Sequence, residues 1–234
     1  MGAEHIHTPE NIRQGVDESL RRMKTDYLDL VQFHQSLTRR EFEIHGAVET
    51  ALALKKQGKV RFIGVSGTLP TVVEQIEMGV FDAFQIPYSA LQREHENIIS
   101  RASTIGAGII IRGGIARGAP RDWRRTYYML PGTKMRRRWE NARLDELLDG
   151  MNRQEFTLRF TLSNPDLDTA IVGTKELEHL RENVSAALKG PLPDDVIREA
   201  KRRLAGTGSR PPSNRWVNTM LWALAVHNFI FPRK

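Results

Sequence analysis

The sequence predicts an α/β fold built on a parallel sheet. Short apolar runs of strand length recur along the chain, and helical stripes with apolar residues every three or four positions lie between them. The two alternate about every 20 to 30 residues, and parallel connections need a crossover of a dozen residues or more.

Taken in order, Thr8-Pro9-Glu10 is a helix start, with an N-cap hydroxyl, proline in the first turn and an acid beside it. Ile12, Val16, Leu20 and Met23 continue it as one apolar stripe. Residues 27–33 are too short and too apolar for a surface helix and read as a buried strand ending at His34. A single helix follows, striped by Ile44, Ala47, Val48, Ala51 and Leu54 and closed by Gly58. Residues 60–65 form the next strand, and Thr68 is placed to cap a short helix through Val72, Val73 and Ile76. A strand at 81–86, a helix at 97–105 and a strand at 108–111 come next. Residues 113–130, rich in Gly and Arg and holding Pro120, are too long for an ordinary connection and read as either a functional loop or a mobile one. The alternation resumes with a helix at 154–162, a strand at 169–172 and a helix carrying Leu177, Leu180, Val184 and Leu188. Periodicity admits both an open doubly wound sheet and part of a (β/α)8 barrel.

Composition excludes several functions. With no cysteine among 234 residues there is no disulfide framework, thiolate metal site or cysteine nucleophile, and the default compartment is a reducing cytoplasm. Met1 to Asn11 holds His5, His7 and Glu10 where a signal peptide needs an apolar run. The formal charge is +7, but residues 120–143 carry a net +6 and residues 206–234 a net +4, leaving the rest at −3. The excess is local: one basic insertion within 113–150 and one basic tail. Arg136-Arg137-Arg138 is a short run without interleaved aromatics, so it reads as a solvated face, and no nucleic-acid partner is expected.

In either arrangement the chemistry lies at the C-terminal strand ends. That points to His34, Ser66-Gly67, Gln85 with Tyr88, Arg112-Gly113-Gly114 and Gly173-Thr174-Lys175. An imidazole at His34 can donate to a substrate carbonyl or lie bonded to a loop carbonyl. Gln85 is a polar residue in an apolar strand, so its amide must either bind a ligand or tie strands together. Gly173-Thr174-Lys175 joins a strand to a helix start and offers backbone N–H groups, a hydroxyl and a cation, a set that suits a phosphate. An ordinary connection with an N-cap threonine fits the same residues.

At these positions the sequence resembles the aldo-keto reductase family. Residues 15–34 resemble the helix-to-strand stretch that delivers that family's catalytic histidine, here His34. Residues 58–66 resemble the next strand and its nicotinamide-carboxamide serine, Ser66, and Gln85 with Tyr88 resembles the following carboxamide contact. Residues 170–175, running on to His179, Glu182 and Asn183, resemble the segment that grips the adenosine phosphate. The resemblance implies a (β/α)8 barrel, NADPH as cofactor and reduction of an aldehyde or ketone, with Arg112 standing where an aromatic often stacks on nicotinamide. Gly67 stands where an asparagine often follows the serine.

What matches corresponds to the fourth barrel unit onward. The family's catalytic aspartate, tyrosine and lysine have no counterpart, so only His34 of the tetrad carries over; Tyr127 and Tyr128 sit in the basic insertion without supporting context. The expected architecture is thus a barrel truncated at its N-terminus over residues 1–205, followed by a linker and apolar tail at 206–234. The stretch 216–231 is apolar but short of the roughly 20 residues a membrane-crossing helix needs. The competing reading is a non-catalytic nucleotide-binding or subunit-interaction protein of the same fold.

Overall fold

The computed structural model describes residues 7–34, 37–116 and 129–207. Five parallel strands form one sheet in sequential order: β1 (Leu28–Phe33), β2 (Val60–Ser66), β3 (Ala83–Pro87), β4 (Gly108–Arg112) and β5 (Thr169–Ile171). A doubly wound sheet reverses its strand order at a switch point, and these strands show no reversal. Winding in one direction is the path of a (β/α)8 barrel, and this sheet is part of one.

The helices lie between the strands. In α1 (Pro9–Met23) the Thr8 hydroxyl accepts from the Asn11 N–H at 3.3 Å, and Val16 and Leu20 are buried. The stretch read as one helix is two, α2 (Arg39–His45) and α3 (Ala47–Lys56). Gly46 (φ 57°) adopts the left-handed conformation between them, which frees Ile44 to solvent while Ala47, Val48, Ala51 and Leu54 stay buried. In α4 (Thr71–Glu77) the first residue follows Pro70, and Thr68 contributes its carbonyl, which accepts from the Val72 N–H, in place of the expected side-chain cap. The order continues with α5 (Glu96–Thr104), α6 (Met129–Asn141), α7 (Arg153–Leu162), α8 (Leu177–Leu188) and α9 (Asp194–Ala205).

The two faces of the sheet differ. Toward the helices, Ile63, Val65, Phe84, Ile86, Ile109 and Ile111 are fully enclosed. On the other face Phe62 is 53% exposed and Ile171 50%. The strand expected to be buried on both sides is an edge strand whose Leu30, Val31 and Gln32 are only partly covered. A sheet that closes into a barrel buries this second face against its own far strands.

Two further expectations about the helices change. The 113–150 stretch read as a basic loop contains α6 and a 3-10 turn at Leu144–Leu147. Met135, Trp139 and Ala142 make a buried stripe at helical spacing that the surrounding arginines disguise. Trp139 packs edge-on against Phe156 at 5.7 Å and donates its Nε1–H to Asp145 at 2.9 Å. In α8 the apolar residues that mark the helix point outward: Leu177, Leu180, Val184 and Leu188 are exposed, and Asn183 and Ala186 are the buried residues. Among the described residues no helix is long and apolar enough to cross a membrane. Tyr127, Tyr128 and the 216–231 stretch lie outside the described residues.

Candidate active site

Strand register gathers the predicted residues. Ser66 pairs with Gln85, Gln85 with Ile110, and Arg112 with both Pro87 and Ile171. Paired residues of parallel strands, and residues two apart on one strand, share a face. Ser66, Gln85 and Arg112 therefore all lie on the open face at its C-terminal end. Phe33 pairs with Val65, so His34, the next residue, stands level with Ser66. His34 is exposed, Ser66 is buried, and Gln85 and Arg112 are half-buried.

The loop after β2 is held from several directions. Gly67 donates its N–H to the Gln85 carbonyl at 3.2 Å. A Cβ on Gly67 would lie 2.5 Å from the Gln75 Oε1 and 2.9 Å from the Val72 Cγ2, which explains physically why an asparagine does not stand there. Gln75 is fully buried and donates its Nε2 to the Leu37 carbonyl in the loop after His34 at 2.8 Å. Leu69 donates its N–H to the Nε2 of His95 at 3.0 Å, although the two are 26 residues apart. His95 is 5% exposed, and burial, helped by the Arg112 charge, pushes its imidazole down to about 4. The neutral ring thus accepts at Nε2 and keeps its proton on Nδ1, which faces Glu94 Oε1 at 3.9 Å. Burial raises the Glu94 carboxyl above its usual range, with Arg138 opposing the shift. Sequence reasoning missed both His95 and Gln75, since neither sits at a strand end.

The β5 end is built locally. Gly173, Thr174 and Lys175 are exposed, and the Thr174 hydroxyl accepts from the Glu176 N–H at 3.1 Å. That places the cap of α8 at Glu176, two residues beyond the threonine that the alternative reading makes the N-cap. His179 and Glu182 are half-buried on α8. Asn183 is buried; its Oδ1 accepts from Gln154 at 2.9 Å, and its Nδ2 has no hydrogen-bond partner among the described residues.

Two residues near the predicted site are committed elsewhere. Tyr88 is fully buried and donates its hydroxyl to Glu96 at 3.2 Å; burial drives its pKa well above the ordinary phenol value. Glu96 is itself bound by Arg93 and Lys201, so Tyr88 belongs to a network between the β3 loop and α9. Gly114 packs against α7: its carbonyl accepts from Thr161 at 2.7 Å, and a Cβ there would press on the Thr161 methyl at 3.1 Å.

The family model described as "Aldo/keto reductase family" matches residues 1–204. The chain belongs to that family. It is 27% identical over 199 residues to the uncharacterized oxidoreductase YqkF of Bacillus subtilis (80% of this chain, 63% of that one). Similarity extends to the L-galactose dehydrogenase of Arabidopsis thaliana, 26% over 193 residues (76% and 58%), and to the NADH-specific methylglyoxal reductase of Escherichia coli, 28% over 200 residues (76% and 60%). Among solved structures, the holo form of aldo-keto reductase AKR11C1 from Bacillus halodurans superposes with a TM-score of 0.73 at 23% identity, covering 88% of this chain and 70% of that one. The chain spans about three fifths of the length of these curated relatives. As in the aldo-keto reductases, the sheet is that of a (β/α)8 barrel, here represented by five strands.

Proposed function

We propose that this chain carries the cofactor-binding end of an aldo-keto reductase: NADPH lies across the C-terminal ends of β2 to β5, and an aldehyde or ketone is reduced to the alcohol beside His34. The observation that carries this reading is the convergence of Ser66, Gln85 and Arg112 on one face at one end of one sheet, with Gly173 following β5 at the same end, in a chain whose family match runs through residue 204.

The donor set fits the cofactor. A carboxamide offers both a donor and an acceptor, and the Ser66 hydroxyl beside the Gln85 amide can meet both. At the other end, Lys175 and the backbone around Thr174 hold the 2′-phosphate, with His179, Glu182 and the spare Nδ2 of Asn183 toward the adenosine. The bound nicotinamide supplies a hydride. His34 orients the substrate carbonyl by donating an imidazole N–H to its oxygen. The substrate is a small carbonyl compound handled in the cytoplasm, and the barrel part comprises residues 1–205, with 206–234 as linker and tail. Only His34 of the tetrad is present, so turnover by these 234 residues is expected to be slow, by about two to four orders of magnitude for the lost general acid.

Titration of the full chain with NADPH and NADH, followed by calorimetry, tests the reading. NADPH is expected to bind at least about tenfold tighter, and Lys175→Glu to abolish the preference. The relative named as NADH-specific makes this a real discrimination. Equal affinity of the unmutated chain for both nucleotides removes the phosphate role of Lys175, and binding of neither removes the cofactor site.

A further inference from the structure

The loop that carries Ser66 is tied to the β3–α5 loop by one side chain that no cofactor contact requires. His95 is enclosed, its Nε2 accepts from the Leu69 N–H at 3.0 Å, and Leu69 is three residues beyond Ser66. The tie belongs to a chain of contacts that crosses three consecutive strand ends. Leu37, in the loop after His34, is held by Gln75; the Gln75 Oε1 fills the space that a Cβ on Gly67 would need; Gly67 donates to the Gln85 carbonyl; and Leu69 closes on His95. Gln75 and His95 thus stand behind the loops bearing His34 and Ser66.

We propose that His95 is a positioning residue for the nicotinamide end of the site, fixing the Ser66–Leu69 loop through the Leu69 amide so that the Ser66 hydroxyl is set before the cofactor arrives. This rests on the cofactor reading above. The physical case is that a serine hydroxyl contributes to a carboxamide contact only when its backbone is already placed, since ordering the loop on binding costs affinity. A loop hydrogen bond made to an enclosed neutral imidazole is not exchanged for water, so it holds. Around His95, Glu94 and Arg112 are the charged groups; Arg112 disfavours the imidazolium that would abolish the acceptor, and Glu94 Oε1 stands 3.9 Å from Nδ1. The adenosine end at Thr174 and Lys175 shares none of these contacts, being set by the Thr174–Glu176 turn.

The test compares His95→Leu, which removes the acceptor, with His95→Gln, whose amide oxygen can take the place of Nε2. Each is titrated with NADPH and with adenosine 2′,5′-bisphosphate, which lacks the nicotinamide half, at a temperature where circular dichroism shows every variant folded. His95→Leu is expected to lose about tenfold in NADPH affinity, the worth of one hydrogen bond. His95→Gln should recover most of it, and the bisphosphate should bind all three chains alike. NADPH binding by His95→Leu equal to the unmutated chain overturns the inference, and so does parallel weakening of both ligands. Should His95→Leu not fold, His95→Met takes its place; if neither folds while His95→Gln does, His95 supports the fold and not the site, and the inference falls. An unmutated chain that binds neither ligand overturns the cofactor reading itself, a result distinct from these.

Discussion

At the end of β2 the candidate site is part of the core, whereas at the end of β5 it stands on the surface. Ser66 is buried, and the loop after it is tied by hydrogen bonds to Gln85 and to His95, the latter 26 residues from the Leu69 it holds. Gly173 to Lys175 are exposed, and among the described residues they are tied locally, by the turn between Thr174 and Glu176. Long-range ties make geometry depend on the whole fold, so changes near Ser66 should move stability and binding together. A locally built end can change its charge or its ligand preference with little effect on stability. That division suits a dinucleotide whose reactive half needs exact placement while its phosphate half needs mainly charge.

The largest expected effect breaks the scaffold behind the buried end. Trp139 is fully enclosed, packs on Phe156, and is bracketed by Asp145 and by Arg153, whose guanidinium lies 5.6 Å from its ring. The same helix sends Arg138 to the Leu91 carbonyl in the β3 loop. Trp139→Ala should cost about 3–5 kcal/mol by urea unfolding, the usual range for a large aromatic removed from a core. On the open flank, Leu188 is 84% exposed, and Leu188→Ala should stay within about 0.5 kcal/mol. A comparable loss at both positions would mean that the outward stripe of α8 is covered in solution.

How much of this was legible in the sequence follows from the kind of signal each element carries. The five strands and their polar ends announce themselves because an apolar run that stops at His34, Ser66 or Arg112 changes chemistry abruptly. α6 was missed because Met135, Trp139 and Ala142 are diluted by Lys134 and four arginines, a composition that resembles a loop unless the spacing is counted. α9 was missed although Val196, Ile197, Ala200 and Leu204 keep helical spacing after an acidic start at Asp194 and Asp195. The stripe of α8 was read correctly as a stripe, but periodicity cannot say which side is occupied, and there the core side belongs to Asn183 and Ala186. The ties made by Gln75 and His95 carry no sequence signal at all. A glutamine beside the apolar residues of a short helix and a histidine in a polar loop read the same whether they face water or a neighbouring loop.

The next effect is a pH dependence that sharpens the contrast. Burial and Arg112 depress the His95 pKa to about 4 from the ordinary 6.5, so the fold prefers the neutral ring. Its contribution is complete above pH 6.5 and is lost as pH falls from there through about 4, on the order of 2–3 kcal/mol over that window. Glu94 acts in the opposite sense, because a raised carboxyl favours the fold as it gains its proton. The comparison that isolates His95 is therefore the difference between the unmutated chain and His95→Leu, measured by urea unfolding from pH 7.5 to 4.5. The gap between them should close as pH falls. A gap independent of pH would show that the imidazole is not held neutral.

The smallest effect distinguishes the two ends most directly, because the same substitution is made at each. At Gly67 an added methyl meets the Gln75 Oε1 at 2.5 Å, the Val72 Cγ2 at 2.9 Å and the Val72 Cβ at 3.0 Å. Gln75 and Val72 are both fully buried, so neither can step aside without disturbing Leu37 or the packing of α4. Gly67→Ala should cost about 1–3 kcal/mol, typical of overpacking, and should weaken NADPH binding as the loop shifts. At Gly173 nothing among the described residues lies within 4 Å of the corresponding methyl. Gly173→Ala should change stability by less than about 0.5 kcal/mol, since neither contact nor turn geometry opposes it. Thermal unfolding and NADPH titration of the two variants side by side decide the matter. Equal tolerance at both positions would mean that the β2 loop relaxes around the new methyl, and the distinction between a core-built and a surface-built end would be lost.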